Sequence, residues 1–227
     1  MWMCKAMKQE TKLLILVALA AYGIMAVVDG IIQPGYAAKS AIKIALFLGL
    51  PLLTVKFCPG ITLKGLFRFQ RKGFLSALLL GLGVYGVILG GYFLVRNFYD
   101  FSGIAGTLSQ NAGVNRDNFL FVSLYISFVN SLLEEFFFRG FLFMNLKPSP
   151  GKGFAHGFSS ILFAAYHVAM MVGWFSPWLF ALVMAGLAIG SVIFNTMNEK
   201  LGAIYPSWLT HMFANFAINT IGFMLMA

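Results

Sequence analysis

Seven long apolar runs, separated by short polar breaks, organise the chain. They fall near 13–32, 38–56, 73–95, 118–146, 154–173, 177–197 and 203–226. Each is close to the roughly 20 residues that a helix needs to cross about 30 Å of hydrocarbon. Apolar positions within the runs are continuous rather than alternating, so they predict helices and not the strands of a barrel. The breaks carry the punctuation expected between helices: Pro34-Gly35, Pro59-Gly60, Pro148, Pro150-Gly151 and Pro177. The predicted fold is all-α, a polytopic membrane bundle of about seven transmembrane helices. It forms a single integral membrane domain over 1–227, with N-terminal helices in 1–96 and a second half, 118–226, that holds the unusual polar residues. The segment 61–73, ITLKGLFRFQRKG, mixes bases with Leu and Phe and reads as an interfacial piece rather than a span. Residues 97–117 form the one sizeable polar loop.

Composition agrees with the pattern. Of the 227 residues, 60% are apolar and only 10% charged, where a soluble domain carries about a quarter charged residues. The net charge of +9 sits in short loops beside the apolar runs, which points to topology and lipid headgroups and excludes nucleic acid as a partner. On one side of the bilayer lie Lys5, Lys8, Lys12, Lys56, Lys64, Arg68, Arg71, Lys72, Lys147, Lys152 and Lys200; on the other lie only Lys39, Lys43, Arg96 and Arg116. Eleven bases against four put the N-terminus in the cytoplasm and, with seven spans, the C-terminus outside. Lys5, Lys8 and Lys12 before an apolar run, with Gly35-Tyr36-Ala37 after it, echo a signal peptide, but the run is long for one and reads as a retained first helix. Cys4 and Cys58 are too few and too far apart for a disulfide framework or a thiolate metal site. Gly86 with Gly90, and Gly186 with Gly190, make small-xxx-small pairs that predict close helix packing.

The stretch SLLEEFFFRGFLF, 131–143, changes the picture. Glu10, Asp29, Asp100, Asp117 and Glu199 fall at span ends or in loops, but Glu134 and Glu135 lie near the middle of the fourth run. A carboxylate at that depth costs at least about 2.5 kcal/mol, so it must be paired, protonated or used. Glu135 and Arg139 are four apart and can pair along one helix face, whereas Glu134 points about 100° away toward another neighbour. A structural lock explains the pair but leaves Glu134 over. His167 in the fifth run, and His211 with Asn215 one turn apart in the seventh, lie at similar depth. Three helices offering a carboxylate, two imidazoles and a carboxamide predict one convergent site, whereas His156 falls at the membrane edge.

Such a set can hydrolyse an amide. Glu134 would act as general base toward water, His167 would orient that water, and His211 with Asn215 would hold the oxyanion of a tetrahedral intermediate. Ser127, Ser131, Ser159, Ser160 and Ser207 lack an activating motif for nucleophilic catalysis. Glu134, His167 and His211 also match the ligand set of a catalytic zinc, but the sequence lacks HExxH, so metal-independent glutamate chemistry without a cofactor is favoured and zinc stays open. A proton-coupled transporter would want repeat symmetry or broken helices; the sequence displays neither.

The series EEFFFR (Glu134, Glu135, Arg139), FAAYH ending at His167, and HMFAN (His211 to Asn215) resembles the motifs of the CPBP family, which unites type II CAAX prenyl endopeptidases and Abi-type, bacteriocin-processing membrane proteins. The resemblance covers roughly 118–226 and departs from the pattern at no motif. It implies an intramembrane endopeptidase in which Glu134 activates water, His167 assists, His211 and Asn215 stabilise the oxyanion, and Glu135 and Arg139 support them. Family members have been described as metalloproteases and as glutamic-type proteases. The resemblance further implies a multi-pass protein, expected in a prokaryotic plasma membrane, acting on a membrane-embedded or lipidated peptide. The alternative is a non-proteolytic family member in bacteriocin self-immunity or scaffolding.

Overall fold

The computed structural model describes residues 2–99, 101, 106 and 113–226, with side chains from residue 9 onward. Most of the predicted polar loop, with Asp100, lies outside the described residues, as do the side chains of Cys4, Lys5 and Lys8. Among the described residues, seven helices are long and apolar enough to cross a membrane: α1 Gln9–Ile32, α2 Tyr36–Phe57, α3 Arg71–Val95, α4 Phe119–Leu146, α5 Lys152–Met171, α6 Pro177–Leu201 and α7 Tyr205–Met226. They match the seven predicted runs to within a few residues. Helices are the natural outcome because hydrocarbon offers no partner to a free backbone N–H or C=O.

The helix ends follow local chemistry. Pro177 opens α6 at a position where a backbone N–H has no intrahelical partner anyway. Gly202 closes it at φ 64°, a left-handed cap that disfavours a residue with a Cβ. In α2 the backbone widens to π-type turns over Ala45–Gly49 immediately before Pro51. Proline lacks the N–H and crowds the carbonyl four residues back, so the helix opens there instead of breaking.

Helix α4 is the central strut. In α4 and α5, 44% of the apolar window is buried, against 6% in α3, so α3 lies at the periphery. Around α4 stand α1, α2, α5, α6 and α7, while α3 packs along α7 and α6 along α5. Aromatic rings fill the core. Phe47 of α2 stacks on Phe137 of α4 at 4.3 Å and meets Phe138 edge-on at 5.5 Å. Phe138 in turn meets Phe163 of α5 edge-on at 5.3 Å, a geometry that aromatic quadrupoles favour. The segment 61–73 is not a span, as predicted. Residues 61–70 form an irregular strap whose Leu66 is buried against Gly140, with the Leu66 carbonyl accepting from Ile204 N–H at 2.7 Å.

The glycine prediction is corrected. A Cβ built at Gly86, Gly90, Gly186 or Gly190 would meet nothing within 4 Å. Close packing falls instead at Gly81 of α3, where a Cβ would lie 2.5 Å from the Phe213 ring of α7. Spacing along one helix cannot tell which face a neighbour will occupy. Gly81→Leu is therefore expected to destabilise the fold by about 1–3 kcal/mol, while Gly86→Leu leaves thermal unfolding in detergent unchanged. Equal melting of the two variants would refute this packing.

Candidate active site

Helix α4 turns π-type ahead of its acidic doublet, over Ile126–Asn130, and again from the second acid onward, over Glu135–Phe143. Widened turns of this kind recur at functional sites because they re-aim side chains. Glu134 and Glu135 are both buried, and they face different partners.

Glu134 meets the histidines of α5 and α7. Its Oε2 lies 3.9 Å from His167 Nε2 and 3.7 Å from His211 Nε2. These gaps are too long for direct hydrogen bonds, and Oε2 has no hydrogen-bond partner among the described residues. Its other oxygen, Oε1, is fully engaged: Lys43 Nζ of α2 lies 2.5 Å away, and Asn130 Nδ2 donates to it at 3.0 Å.

Both imidazoles are held from behind. His167 Nδ1 is 2.8 Å from the Phe163 carbonyl. A carbonyl only accepts, so Nδ1 carries the proton and Nε2 of the neutral ring presents a lone pair toward Glu134. His211 Nδ1 lies 2.9 Å from Glu135 Oε1. Glu135 is a hub: Arg139 Nη1 is 3.2 Å from Oε1, and the Ser207 hydroxyl donates to Oε2 at 2.5 Å while accepting from Asn198 Nδ2 at 2.7 Å. The Arg139 guanidinium, wholly buried, also lies over the Phe163 ring at 4.1 Å and the Phe194 ring at 5.2 Å, which favours a cation in a dry site.

Each buried acid thus has its own base, Glu134 with Lys43 and Glu135 with Arg139. The four charges sum to zero, which removes much of the penalty for carrying them into hydrocarbon. The expectation that Glu134 would be unpaired needs correction. The charge pattern places Lys43 among the loop bases, but it is buried on α2 and holds one of the two carboxylate oxygens. The available signal was its place five residues inside the second predicted run.

The structure brings Glu134, His167 and His211 together from three helices. Asn215 lies one turn beyond His211, and its Nδ2 donates to the Ile126 carbonyl on α4 at 3.1 Å. His156 stands apart at the rim, 3.3 Å from Glu199, which also meets Lys147 and Lys152. The serines are committed elsewhere: Ser159 donates to the Phe138 carbonyl, Ser131 accepts from Trp208, and Ser160 accepts from Asn195.

Among the described residues, no group of three His, Cys, Asp or Glu side chains is disposed to hold a metal ion. Lys43 supplies a physical obstacle at the trio that sequence reasoning considered for zinc, Glu134, His167 and His211. A dication on Glu134 would stand beside an ammonium already 2.5 Å from the same carboxylate, and like charges repel strongly in a low dielectric. The ammonium would weaken the hold of this trio on zinc, and Lys43 takes the place of a dication as the counter-charge of Glu134.

Residues 116–217 match the family described as Type II CAAX prenyl endopeptidase Rce1-like. The match contains every polar residue of the site except Lys43 and leaves out the first three helices. No curated protein and no solved structure matches the chain.

Proposed function

We propose that this chain, whose residues 116–217 belong to the type II CAAX prenyl endopeptidase Rce1-like family, is an intramembrane endopeptidase. It hydrolyses a peptide bond of a membrane-associated, lipidated protein or peptide with water activated by Glu134. One observation carries the reading: Glu134 Oε2, buried and without a hydrogen-bond partner, faces the Nε2 atoms of histidines from two other helices at 3.7 and 3.9 Å. A single water at that vertex reaches the carboxylate oxygen and both imidazoles.

The chemistry proceeds from these positions. His167, neutral and fixed by the Phe163 carbonyl, accepts from the water and aims it. Glu134 Oε2 takes the water's other proton as the oxygen bonds to the scissile carbonyl carbon. His211 works as an imidazolium balanced by the Glu135 carboxylate, just as a carboxylate stabilises the imidazolium of a hydrolytic triad. Its Nε2–H meets the oxyanion together with the second amide N–H of Asn215. Glu134 then delivers its proton to the departing amine nitrogen as the C–N bond breaks, which restores the carboxylate. Lys64, Arg68, Lys147, Lys152 and Lys200 belong to the base-rich side, assigned with the N-terminus to the cytoplasm.

A non-proteolytic lock built on the Lys43–Glu134 pair is the competing reading. It does not explain why Oε2 is turned to the Nε2 atoms of two histidines from other helices. The test is cleavage of a farnesylated peptide with a CAAX terminus by the purified protein in lipid vesicles, with Glu134→Gln beside it. Cleavage should persist after exhaustive treatment with phenanthroline. Inhibition reversed by added zinc would overturn the glutamate mechanism, and no cleavage by the unaltered protein would count against the enzyme itself.

A further inference from the structure

Lys43 lies outside the family-matched segment and outside every motif, and yet it is among the most buried cations of the protein, with 4% of its surface exposed. Its Nζ stands 2.5 Å from Glu134 Oε1 and 2.5 Å from Asn130 Oδ1. The ammonium faces the Tyr166 ring at 4.8 Å and the Phe47 ring at 5.3 Å. Its donors are therefore spent on two oxygens and an aromatic wall, leaving nothing for solvent. The Lys43 stem and Phe47 are four residues apart, so the face that docks α2 on α4 through the Phe47–Phe137 stack also delivers the ammonium.

We infer that Lys43 is the positioning residue of the active site: its ammonium, with Asn130, clamps Glu134 Oε1 and keeps the carboxylate ionised, so that Oε2 alone is offered to the attacking water. The asymmetry of the carboxylate supports this. Oε1 has two donors and Oε2 none. A carboxylate with one oxygen held from two directions cannot rotate about its terminal bond, which fixes Oε2 on the side of the histidines. Without a neighbouring cation, a carboxyl group in so dry a place takes up a proton and ceases to be a base. Lys43 acts through Glu134 and touches no substrate atom in this scheme. The inference rests on the proposed hydrolytic role of Glu134 and adds α2 to a site otherwise drawn from the matched segment.

Lys43→Met keeps length and apolar stem while removing the charge. It should lower kcat for the farnesylated CAAX peptide about 100-fold, the scale of a misplaced catalytic group, with KM unchanged. Lys43→Arg should recover part of the loss. Infrared spectroscopy of the purified protein gives a readout that needs no substrate. The C=O stretch of a protonated carboxyl should appear in Lys43→Met and vanish in the double variant Lys43→Met, Glu134→Gln. Should Lys43→Met not fold, Lys43→Gln, which retains a donor without charge, takes its place in both measurements. Full kcat in these variants would overturn the inference, and so would a kcat loss with no new carboxyl band or no recovery in Lys43→Arg. Glu134→Gln, assayed in parallel, separates the two levels. If it is inactive while Lys43→Met is fully active, only the role of Lys43 falls; if it is active, the hydrolytic reading falls with it.

Discussion

Glu134→Gln is expected to reduce peptide hydrolysis by about 10²–10⁴-fold, the range that a positioned general base contributes, while the protein stays folded. The substitution is nearly isosteric. The amide oxygen can still accept from Lys43 and Asn130 in place of Oε1, so shape and hydrogen bonds are kept while the negative charge and the ability to take a proton are lost. Glu134→Ala is a worse experiment. It removes both acceptors and leaves a buried ammonium without its anion, a change that destabilises strongly, so lost activity would then be ambiguous. The measurement is kcat on vesicle-bound peptide with thermal unfolding of the same preparations. Undiminished hydrolysis by a folded Glu134→Gln protein would remove the assignment of the base.

Glu135→Ala should be the most destabilising single change in the site. Glu135 supplies the carboxylate for Arg139, accepts from Ser207, and lies behind His211 Nδ1. Removing it strands a wholly buried guanidinium whose remaining company is two aromatic faces. Breaking one half of such a pair costs about 3–5 kcal/mol. Replacing both partners, as Glu135→Ala with Arg139→Met, should restore much of the stability because no lone charge remains. Activity should not return with it, since the group that steadies the His211 imidazolium would still be missing. Detergent unfolding curves of the two single variants and the double variant would measure the coupling, and additive losses would disprove it.

Much of the architecture was legible in the sequence because hydrocarbon imposes one simple rule, continuous apolar length, and the seven runs obey it to within a few residues. The meeting of Glu134, His167 and His211 was legible from depth alone, since three costly side chains at one level of the bilayer have strong reason to share a site. The Glu135–Arg139 pair followed from i,i+4 spacing. Three features were not accessible in that way. Lys43 sits near the start of a predicted run, where a base ordinarily reaches for headgroups, and nothing along α2 says that it turns inward to α4. Glu135 as the partner of His211 depends on the rotation of α4, which its π-type turns alter. The packing of Gly81 rather than Gly86 against a neighbour depends on how α3 lies along α7.

The pairing of α2 with the acid on α4 also bears on how the chain can be divided. The motif-bearing half looks like a module, but without the second helix its Glu134 would enter the bilayer with no counter-ion. Excision or domain grafting at the family boundary would therefore yield a fragment whose central acid neutralises itself, chemically silent even if it inserts.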